Sequence, residues 1–223
     1  VSKSTVSRYL NERYECMSAE TRKRISAVIS ELDYRPNALA RSLKQKKTHT
    51  IAAVIANIMN PFSTSVIRGA EDCCKDSGFN LILCNADDNP GKEKEYLEIL
   101  MAKQIDGLII NTTGHNNPML KEVTARIPIV LIDRKAPELN SDTVTVNNLQ
   151  GVKLAIDHLI HLGYMNIAMF IQPLQGVSPR WERVEGYKQA LARHGLPYRP
   201  ELLFETDFAA ENVTACLNTF LGM

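Results

Sequence analysis

From residue 51 onward, short apolar runs alternate with longer stretches in which apolar residues recur at a helical period. The apolar runs lie at residues 51–56, 79–84, 107–110, 129–132, 167–171 and 202–205. Such runs are typical of strands that a parallel sheet buries on both faces. The stretches between them predict helices at 62–77, 92–103, 117–126, 148–162 and 182–194, and a last one running into Met223. The alternation predicts an α/β fold with a doubly wound parallel sheet, which binds ligands beyond the carboxyl ends of its strands.

Glycine positions and the number of strands refine this outline. Gly78, Gly163 and Gly195 follow three of the predicted helices, where glycine commonly ends a helix in the left-handed conformation. Residues beyond 148 contain only the last two of the predicted strands. Two strands are too few for a closed second lobe, so we expect that lobe to be incomplete in this chain.

The first 47 residues follow a helical pattern instead. One helix is predicted at residues 3–11, with an apolar side and a polar, basic side. A second begins after Ser18, a favourable N-cap, and has to end before Pro36 because proline lacks an amide hydrogen. This second helix carries an apolar stripe formed by Ile25, Val28, Ile29 and Leu32. Residues 37–44 favour a further helix that is too short to be stable alone in water.

Charge divides the chain at the same place. Residues 1–47 hold 11 Lys and Arg against 5 Asp and Glu, whereas the remainder holds 15 against 20. A basic head on an acidic body predicts that the head alone meets a polyanion. The five cysteines include no CxxC pair, which favours reduced thiols in the cytoplasm. Without a leader peptide or an apolar stretch of the roughly 20 residues that span a bilayer, we expect neither export nor a membrane partner.

Four segments carry a family resemblance: VSKSTVSRYLN at 1–11, MSAETR at 17–22, LDYRPN at 32–37 and ARSLK at 40–44. In order and spacing they resemble the DNA-reading head of the lactose-repressor (LacI/GalR) family of bacterial transcription regulators. The resemblance implies a helix-turn-helix head at 1–35, a hinge helix and linker at 36–50, and two lobes of a sensor similar to periplasmic sugar-binding proteins at 51–147 and 148–223. Because the chain starts inside the turn of that head, we expect the first head helix to be missing.

The predicted helix at residues 3–11 takes the place of the family's recognition helix, whose N-terminal side chains enter the major groove. The resemblance assigns DNA contact to Lys3, Ser4, Thr5, Ser7, Arg8 and Asn11. Arg8 is expected to donate two hydrogen bonds to a guanine, and Lys3 or Ser4 to contact base edges or phosphates. The other three suit the DNA backbone or helix capping. The alternative is a solvated, charged helix face without a DNA role.

Residues 38–44 resemble the family's hinge helix. The resemblance assigns DNA contact in this region to Asn37, Ala40, Arg41, Leu43 and Lys44. Leu43 takes the position of the leucine that wedges into the minor groove and kinks the duplex. Alternatively, Leu39 and Leu43 form an i, i+4 pair that docks on the protein. A hinge helix that forms only on DNA, beside the hinge of a second subunit, would supply the regulatory switch.

In the sensor, the resemblance implies an effector-binding cleft between the lobes. It assigns effector contact to Phe62, Ser63, Asn111, Asp133, Ser178, Arg180 and Arg183. Phe62 is placed to stack on a sugar ring, and Arg183 lies in the family's Arg-x-x-Gly-aromatic pattern, where an effector-binding arginine sits. Asn111 and Asp133 follow strands and are expected to hydrogen-bond hydroxyls, with helix capping or turn formation as the alternative. Trp181 lies in the same segment, and a place in the core is the simpler interpretation of it.

Two arginines near one cleft suit an acidic sugar, and the sequence loosely resembles family members that sense sugar acids such as 2-keto-3-deoxygluconate. The predicted partners are a small sugar or sugar-acid effector, a near-palindromic double-stranded DNA operator, and a second copy in a homodimer. The predicted function is transcription regulation, with repression as its expected sign.

Other classes of function find less support. The sequence contains no GxGxxG, GK[ST], HExxH or GxSxG motif, so we expect neither an enzyme nor a cofactor. His158 and His161 lie three residues apart on a predicted helix, but no third ligand has suitable spacing, and no metal site is predicted. A periplasmic-type sugar-binding protein without a DNA role accounts equally well for residues 51 onward. The basic head and the absence of a leader favour the regulator.

Overall fold

The computed structural model describes residues 1–34 and 47–222. The chain forms two compact units, Val1–Thr48 and His49–Met223. The hinge residues predicted to contact DNA lie outside the described residues: Asn37, Ala40, Arg41, Leu43 and Lys44. Within the described ranges, no helix is both long and apolar enough to cross a membrane.

The first unit is built from two capped helices. Its elements are α1 (Lys3–Leu10), a 3-10 turn (Tyr14–Cys16) and α2 (Ala19–Glu31). The hydroxyl oxygen of Ser2 accepts from the backbone N–H of Thr5 at 3.2 Å, and that of Ser18 accepts from Thr21 at 3.2 Å. These bonds satisfy amides that have no partner inside the helix, so they fix where each helix starts. Both predicted helices and the Ser18 cap are confirmed.

The apolar stripe of α2 is only partly covered. Among the described residues of the first unit, Ile25 is the one buried apolar side chain, whereas Val28 and Leu32 are 50% and 69% exposed. A cation–π contact supports the turn before α2, because the Arg22 guanidinium lies 3.8 Å from the centre of the Tyr14 ring. The stripe therefore lies on a helix as predicted, but it forms little of a core.

The second unit alternates strands and helices. Its elements are β1 (Thr50–Ile55), α3 (Pro61–Asp76), β2 (Asn80–Asn85), α4 (Pro90–Ala102), β3 (Gly107–Asn111), α5 (Asn117–Thr124), β4 (Ile129–Ile132), β5 (Asp142–Val144), α6 (Asn148–His161), β6 (Met169–Ile171), α7 (Ser178–Arg193), a 3-10 turn (Pro200–Leu202), β7 (Leu203–Glu205) and α8 (Ala210–Leu221). The strands form two parallel sheets, ordered β2-β1-β3-β4-β5 and β6-β7. We name the part built on five strands the first lobe, and the part built on two strands with α6, α7 and α8 the second lobe. The predicted α/β fold is confirmed.

The interior strand β1, which lies between β2 and β3, is covered on both faces. Val54 packs into one apolar cluster with Leu97 of α4, and Ile55 packs into another with Ile67 of α3. Successive strand residues point to opposite faces, so both positions have to be apolar. This explains the uninterrupted apolar run in the sequence. It also leaves the loops after the strands together at one edge of the sheet, where ligands of such folds bind.

Helices α6 and α7 pack closely in the second lobe because Gly186 leaves room for them. A Cβ atom on Gly186 would lie 2.6 Å from the carbonyl oxygen of Leu149. The neighbouring Tyr187 is fully buried, and its hydroxyl donates to the carbonyl oxygen of Ile167 at 2.8 Å. The contact between the two helix backbones therefore depends on the absence of a side chain at residue 186.

Gly186→Ala is expected to destabilise the fold by about 1–3 kcal/mol, because the added methyl group forces two helix backbones apart. Urea unfolding measures the change. Gly69→Ala is the matched control, since Gly69 lies inside α3 and its Cβ would meet nothing within 4 Å. That substitution is expected to be neutral or stabilising by up to about 1 kcal/mol. Equal losses for both variants would contradict the packing explanation.

The structure differs from the sequence analysis in three places: one predicted helix start is wrong, one strand was missed, and the core interpretation of Trp181 is excluded. Helix α7 begins at Ser178 rather than at residue 182, because Pro179 lies in its first turn, where a missing N–H is tolerated. Strand β5 (Asp142–Val144) was not predicted, since Val144 is its one apolar residue and three largely exposed residues form no apolar run. Trp181 is not a core residue, because 55% of it is exposed. Consequently Arg180 lies on a helix rather than on a loop.

Candidate functional site

A cavity of about 510 Å³ lies between the two lobes, beyond the carboxyl ends of β1, β3 and β4. The first lobe lines it with Asn57, Met59, Asn60, Phe62, Ser63, Asp88, Asn111, Asp133, Arg134 and Val146. The second lobe lines it with Gln172, Val177, Pro179, Arg180, Arg183 and Phe208. Its volume lies in the range of small-molecule sites, and the position is the one expected of a parallel α/β fold.

Six of the seven predicted effector residues line this cavity: Phe62, Ser63, Asn111, Asp133, Arg180 and Arg183. The seventh, Ser178, is not among the lining residues. Its hydroxyl oxygen accepts from the backbone N–H of Lys135 at 2.7 Å, which joins the two lobes. The structure therefore brings six of these residues together, and effector contact stays a prediction for all seven.

Asn111 and Asp133 hold strand ends together as well as facing the cavity. Asn111 is buried, and its Nδ2 donates to the carbonyl oxygen of Ile132 at 3.0 Å. Asp133 has a φ of 63°, a left-handed turn conformation, and its N–H donates to the carbonyl oxygen of Val144 at 2.8 Å. The turn-forming role that was left open for Asp133 is thus present, and it directs the carboxylate towards the cavity.

Among the described residues, Arg180 and Arg183 of the second lobe hydrogen-bond only to uncharged acceptors. Arg180 donates to the carbonyl oxygen of Pro173 at 2.5 Å and to Oε1 of Gln172 at 2.8 Å. Arg183 donates through Nε to Oδ1 of Asn148 at 3.0 Å. Within residues 1–34 and 47–222, neither guanidinium pairs with a carboxylate. This wall of the cavity therefore carries positive charge that favours an anionic group on a ligand.

The opposite wall carries the carboxyl group of Asp133, whose pKa depends on its surroundings. Burial raises the pKa of the Asp133 carboxyl, and the positive charges of Arg183 and Arg134 oppose that rise. Burial lowers the pKa of Arg180, but a guanidinium stays protonated at physiological pH. The cavity thus offers cationic donors on one side and a carboxylate acceptor on the other. Such a set suits a ligand that carries both hydroxyls and an acidic group.

Apolar side chains complete the cavity. Phe62 is half-buried at the start of α3, while Val146 and Phe208 remain about half exposed, at 50% and 49%. An aromatic face left open beside polar groups suits the apolar C–H face of a sugar ring. The sequence prediction missed Val146 and Phe208, although each closely follows a strand.

A polar network along the first-lobe wall of the cavity was also missed. Arg134 donates to the carbonyl oxygen of Thr112 at 2.8 Å and pairs with Asp88 at 3.2 Å. Asp88 also accepts from Nδ2 of Asn57 at 3.1 Å. Glu93 is fully buried and accepts from the hydroxyl of Thr112 at 3.1 Å. Thr112, Glu93 and Arg134 are buried while Asp88 is exposed, and the bonds among them fix the loops on this side of the cavity.

The predicted DNA-contacting residues of α1 differ in exposure. Lys3, Ser4, Arg8 and Asn11 are exposed, and Thr5 and Ser7 are half-buried. Asn11 caps the end of the helix, because its Nδ2 donates to the carbonyl oxygen of Ser7 at 2.7 Å. Helix α1 therefore presents an open basic face, and DNA contact stays a prediction.

The predicted histidine pair lies on α6. Nδ1 of His161 hydrogen-bonds with the carbonyl oxygen of Asp157 at 2.6 Å. In the part of the chain that the structure describes, no group of three His, Cys, Asp or Glu side chains is arranged to hold a metal ion. All five cysteines are free thiols in the structure.

Fold and cavity together define a two-lobed α/β sensor of the periplasmic-binding type, preceded by a small helical unit. Residues 48–222 match the family described as periplasmic binding proteins and sugar binding domain of LacI family. Residues 1–37 match the bacterial regulatory proteins of the lacI family. The chain therefore belongs to the LacI family, whose matching relatives are transcriptional regulators rather than enzymes.

Known proteins resemble the chain along most of its length. The HTH-type transcriptional regulator PtxS of Pseudomonas aeruginosa is 37% identical over 218 residues, which cover 98% of this chain and 64% of that protein. KdgR of Bacillus subtilis is 43% identical over 190 residues, covering 85% of this chain and 56% of that protein. The chain thus spans less than two thirds of either relative. The lac repressor dimer bound to operator and the anti-inducer ONPF shares the fold, with a TM-score of 0.84 at 21% identity over 100% of this chain and 67% of that one.

Proposed function

We propose that this protein is a sequence-specific DNA-binding transcription regulator of the cytoplasm, with repression as its expected sign. A sugar or sugar acid bound between the lobes would control its affinity for an operator. The observation that carries the proposal is the presence, in one chain, of an exposed basic helix face and an arginine-lined cavity in a separate unit. A sugar-binding protein without a DNA role has no use for the basic helix.

On the DNA side, α1 is proposed to enter the major groove with Lys3, Ser4 and Arg8 towards the base edges. Thr5 and Ser7 are half-buried, and their hydroxyls are proposed to contact phosphates rather than base edges. The hinge residues are proposed to add minor-groove contacts: Asn37, Ala40, Arg41, Leu43 and Lys44. Two heads, one from each copy, would then read the halves of a near-palindromic operator.

On the effector side, the guanidinium groups of Arg180 and Arg183 are proposed to bind a carboxylate or hydroxyls. Asp133 would accept from hydroxyls on the other side, and Phe62 would cover the ring. The charge of the second-lobe wall favours a sugar acid over a neutral sugar, because neither arginine has a carboxylate partner among the described residues.

A thermal-shift screen tests the effector proposal, with D-ribose, D-gluconate and 2-keto-3-deoxygluconate at rising concentrations. A compound that binds only the folded protein stabilises it by about 2.7 kcal/mol at a hundred times its Kd. The unfolding temperature is expected to rise with at least one compound, and most with an acid. Inositol and inorganic phosphate serve as controls for unspecific polyol and anion effects. No shift across a full set of sugars and sugar acids would refute the proposal.

A second copy is proposed to pack against the edge of the first lobe. Strand β2 is one of the two edge strands of the five-stranded sheet, and its Leu83 is 42% exposed. A groove of about 320 Å³ lies beside it, lined by Ile55, Thr64, Ile67, Arg68, Glu71, Leu81 and Leu83. Arg68 and Glu71 pair with each other at 2.9 Å within the chain, so their charges are balanced and the apolar part of this surface can face a second copy about a twofold axis.

Leu83→Lys is expected to weaken the dimer about tenfold or more, because it places a charge in an apolar interface. A tenfold change in the dissociation constant corresponds to about 1.4 kcal/mol. Analytical ultracentrifugation over a concentration series measures the dissociation constant. Ile99→Lys is the matched control, since Ile99 is also 42% exposed but lies on α4. A dimer that withstands Leu83→Lys would place the interface elsewhere.

A further inference from the structure

The two lobes meet along a seam beside the cavity. Lys135, which follows β4 in the first lobe, donates from its backbone N–H to the hydroxyl oxygen of Ser178 at 2.7 Å. Its ammonium group lies 2.5 Å from Oε1 of Glu182. Ser178 and Glu182 are four residues apart on α7 and lie on one face of that helix. The start of α7 therefore holds one first-lobe residue by both its backbone and its side chain.

A backbone contact limits how closely the lobes approach. Gly114, in the loop after β3, has a φ of 85°, and a Cβ atom there would lie 2.5 Å from the carbonyl oxygen of Gly176 in the second lobe. No side chain fits at that distance, and the left-handed conformation itself favours glycine. The lobes are thus closed against each other both here and at Lys135.

Glu182 also connects this contact between the lobes to the cavity wall. Its other carboxylate oxygen, Oε2, accepts from Nδ2 of Asn148 at 3.1 Å. Asn148 is buried, and its Oδ1 accepts from Nε of Arg183 at 3.0 Å. An amide whose nitrogen is held by a carboxylate has its oxygen fixed in direction as well. Lys135, Glu182, Asn148 and Arg183 therefore form a continuous chain of bonds from the first lobe to the cavity wall.

We propose that Glu182 is a positioning residue that couples closure of the lobes to the orientation of Arg183. With Lys135 bound, Glu182 holds Asn148 so that the Arg183 side chain has a fixed acceptor while it faces the cavity. When the lobes separate, Lys135 withdraws, the carboxylate loses the cation that orients it, and Arg183 loses its fixed acceptor. Glu182 does this without touching the effector. The inference rests on the proposed function in taking Arg183 as an effector-binding residue.

NMR on the ¹⁵N-labelled chain, without effector or DNA, tests this coupling. Two signals report on the coupling: the backbone amide of residue 135 and the Nε–H of Arg183. The second is assigned as the side-chain signal that is missing from the spectrum of Arg183→Lys. In Lys135→Met, hydrogen exchange at both sites is expected to accelerate about two- to fivefold, the range for losing a part-exposed ion pair. Glu182→Gln is expected to give the same two changes. Lys135→Arg keeps the positive charge, and both hydrogen-exchange rates are expected to stay at the values of the original protein.

Lys92→Met is the matched control, because Lys92 pairs with Asp87 at the same 2.5 Å but within the first lobe alone. It is expected to leave both signals unchanged. Faster exchange at residue 135 with an unaltered Arg183 signal would overturn the coupling, and so would a uniform acceleration across the core amides of β1. Since neither sugar nor DNA is present, a negative result here refutes the coupling alone. The sugar screen decides the proposed function separately.

Discussion

Replacing Arg183 with alanine is expected to weaken effector binding about 10- to 150-fold and to abolish the regulatory response at concentrations that saturate the original protein. Hydrogen bonds to charged groups contribute about 1.5–3 kcal/mol, which corresponds to that range. The guanidinium lines the cavity, and its Nε bond goes to the neutral Asn148 side chain, so its charge is available to a ligand. Calorimetric titration with the compound that gives the largest thermal shift in the sugar screen measures the loss.

Arg193→Ala is the matched control for this variant. Arg193 lies in the last turn of the same helix, α7, and pairs with Asp157 away from the cavity. It is expected to leave ligand affinity unchanged. Operator affinity without effector, measured by fluorescence anisotropy, is expected to stay within about twofold for both variants, because neither residue belongs to the first unit. Unchanged induction in Arg183→Ala would remove this residue from the effector site.

Arg8→Ala is expected to lower operator affinity by about 1–3 kcal/mol and to relax base choice at one position of each half-site. Arg8 is exposed on α1, and the caps at Ser2 and Asn11 hold that helix without involving its guanidinium. Alanine should therefore remove base contacts while leaving the helix intact. Fluorescence anisotropy with a set of single-base operator variants, at one fixed salt concentration, measures both effects.

Arg24→Ala provides the charge-matched control for the DNA experiment. Arg24 is exposed on α2 and carries the same charge in the same unit. Its loss is expected to weaken binding to all duplexes alike, through the general electrostatic attraction. The decisive quantity is the ratio of specific to random DNA affinity. Full operator discrimination in Arg8→Ala would exclude Arg8 as a base-reading residue.

Most of the fold was predictable because strands that are buried on both faces appear in the sequence as uninterrupted apolar runs. The run at 129–132 became β4 with the predicted bounds, and β1 shifted by a single residue. The prediction failed for elements that produce no such apolar run. Strand β5 is short and exposed, and it is defined by its pairing with β4. The early start of α7 depends on a proline tolerated in the first turn, which a periodic pattern does not report.

The candidate site was predictable to the extent that its residues follow strands or match a family motif. Phe62 and Arg183 came from the motif, and Asn111 from its place after the predicted strand at 107–110; in the structure it is the last residue of β3. Arg134 has the same kind of signal, directly after β4, but its partner Asp88 is 46 positions away along the chain. Pairings over such separations are decided by the tertiary structure, and one sequence carries no trace of them. The bond between Ser178 and Lys135 is unpredictable for the same reason.

Three consecutive residues after β4 point in three directions: Asp133 into the cavity, Arg134 into the first lobe and Lys135 across to the second lobe. The left-handed turn at Asp133 makes this divergence possible. An insertion or deletion here would displace all three at once, so the length of this connection is under tighter constraint than that of an ordinary surface loop. New ligand preferences in related proteins are therefore expected to arise by exchange of the apolar wall residues Phe62, Val146 and Phe208, with this tripeptide kept in place.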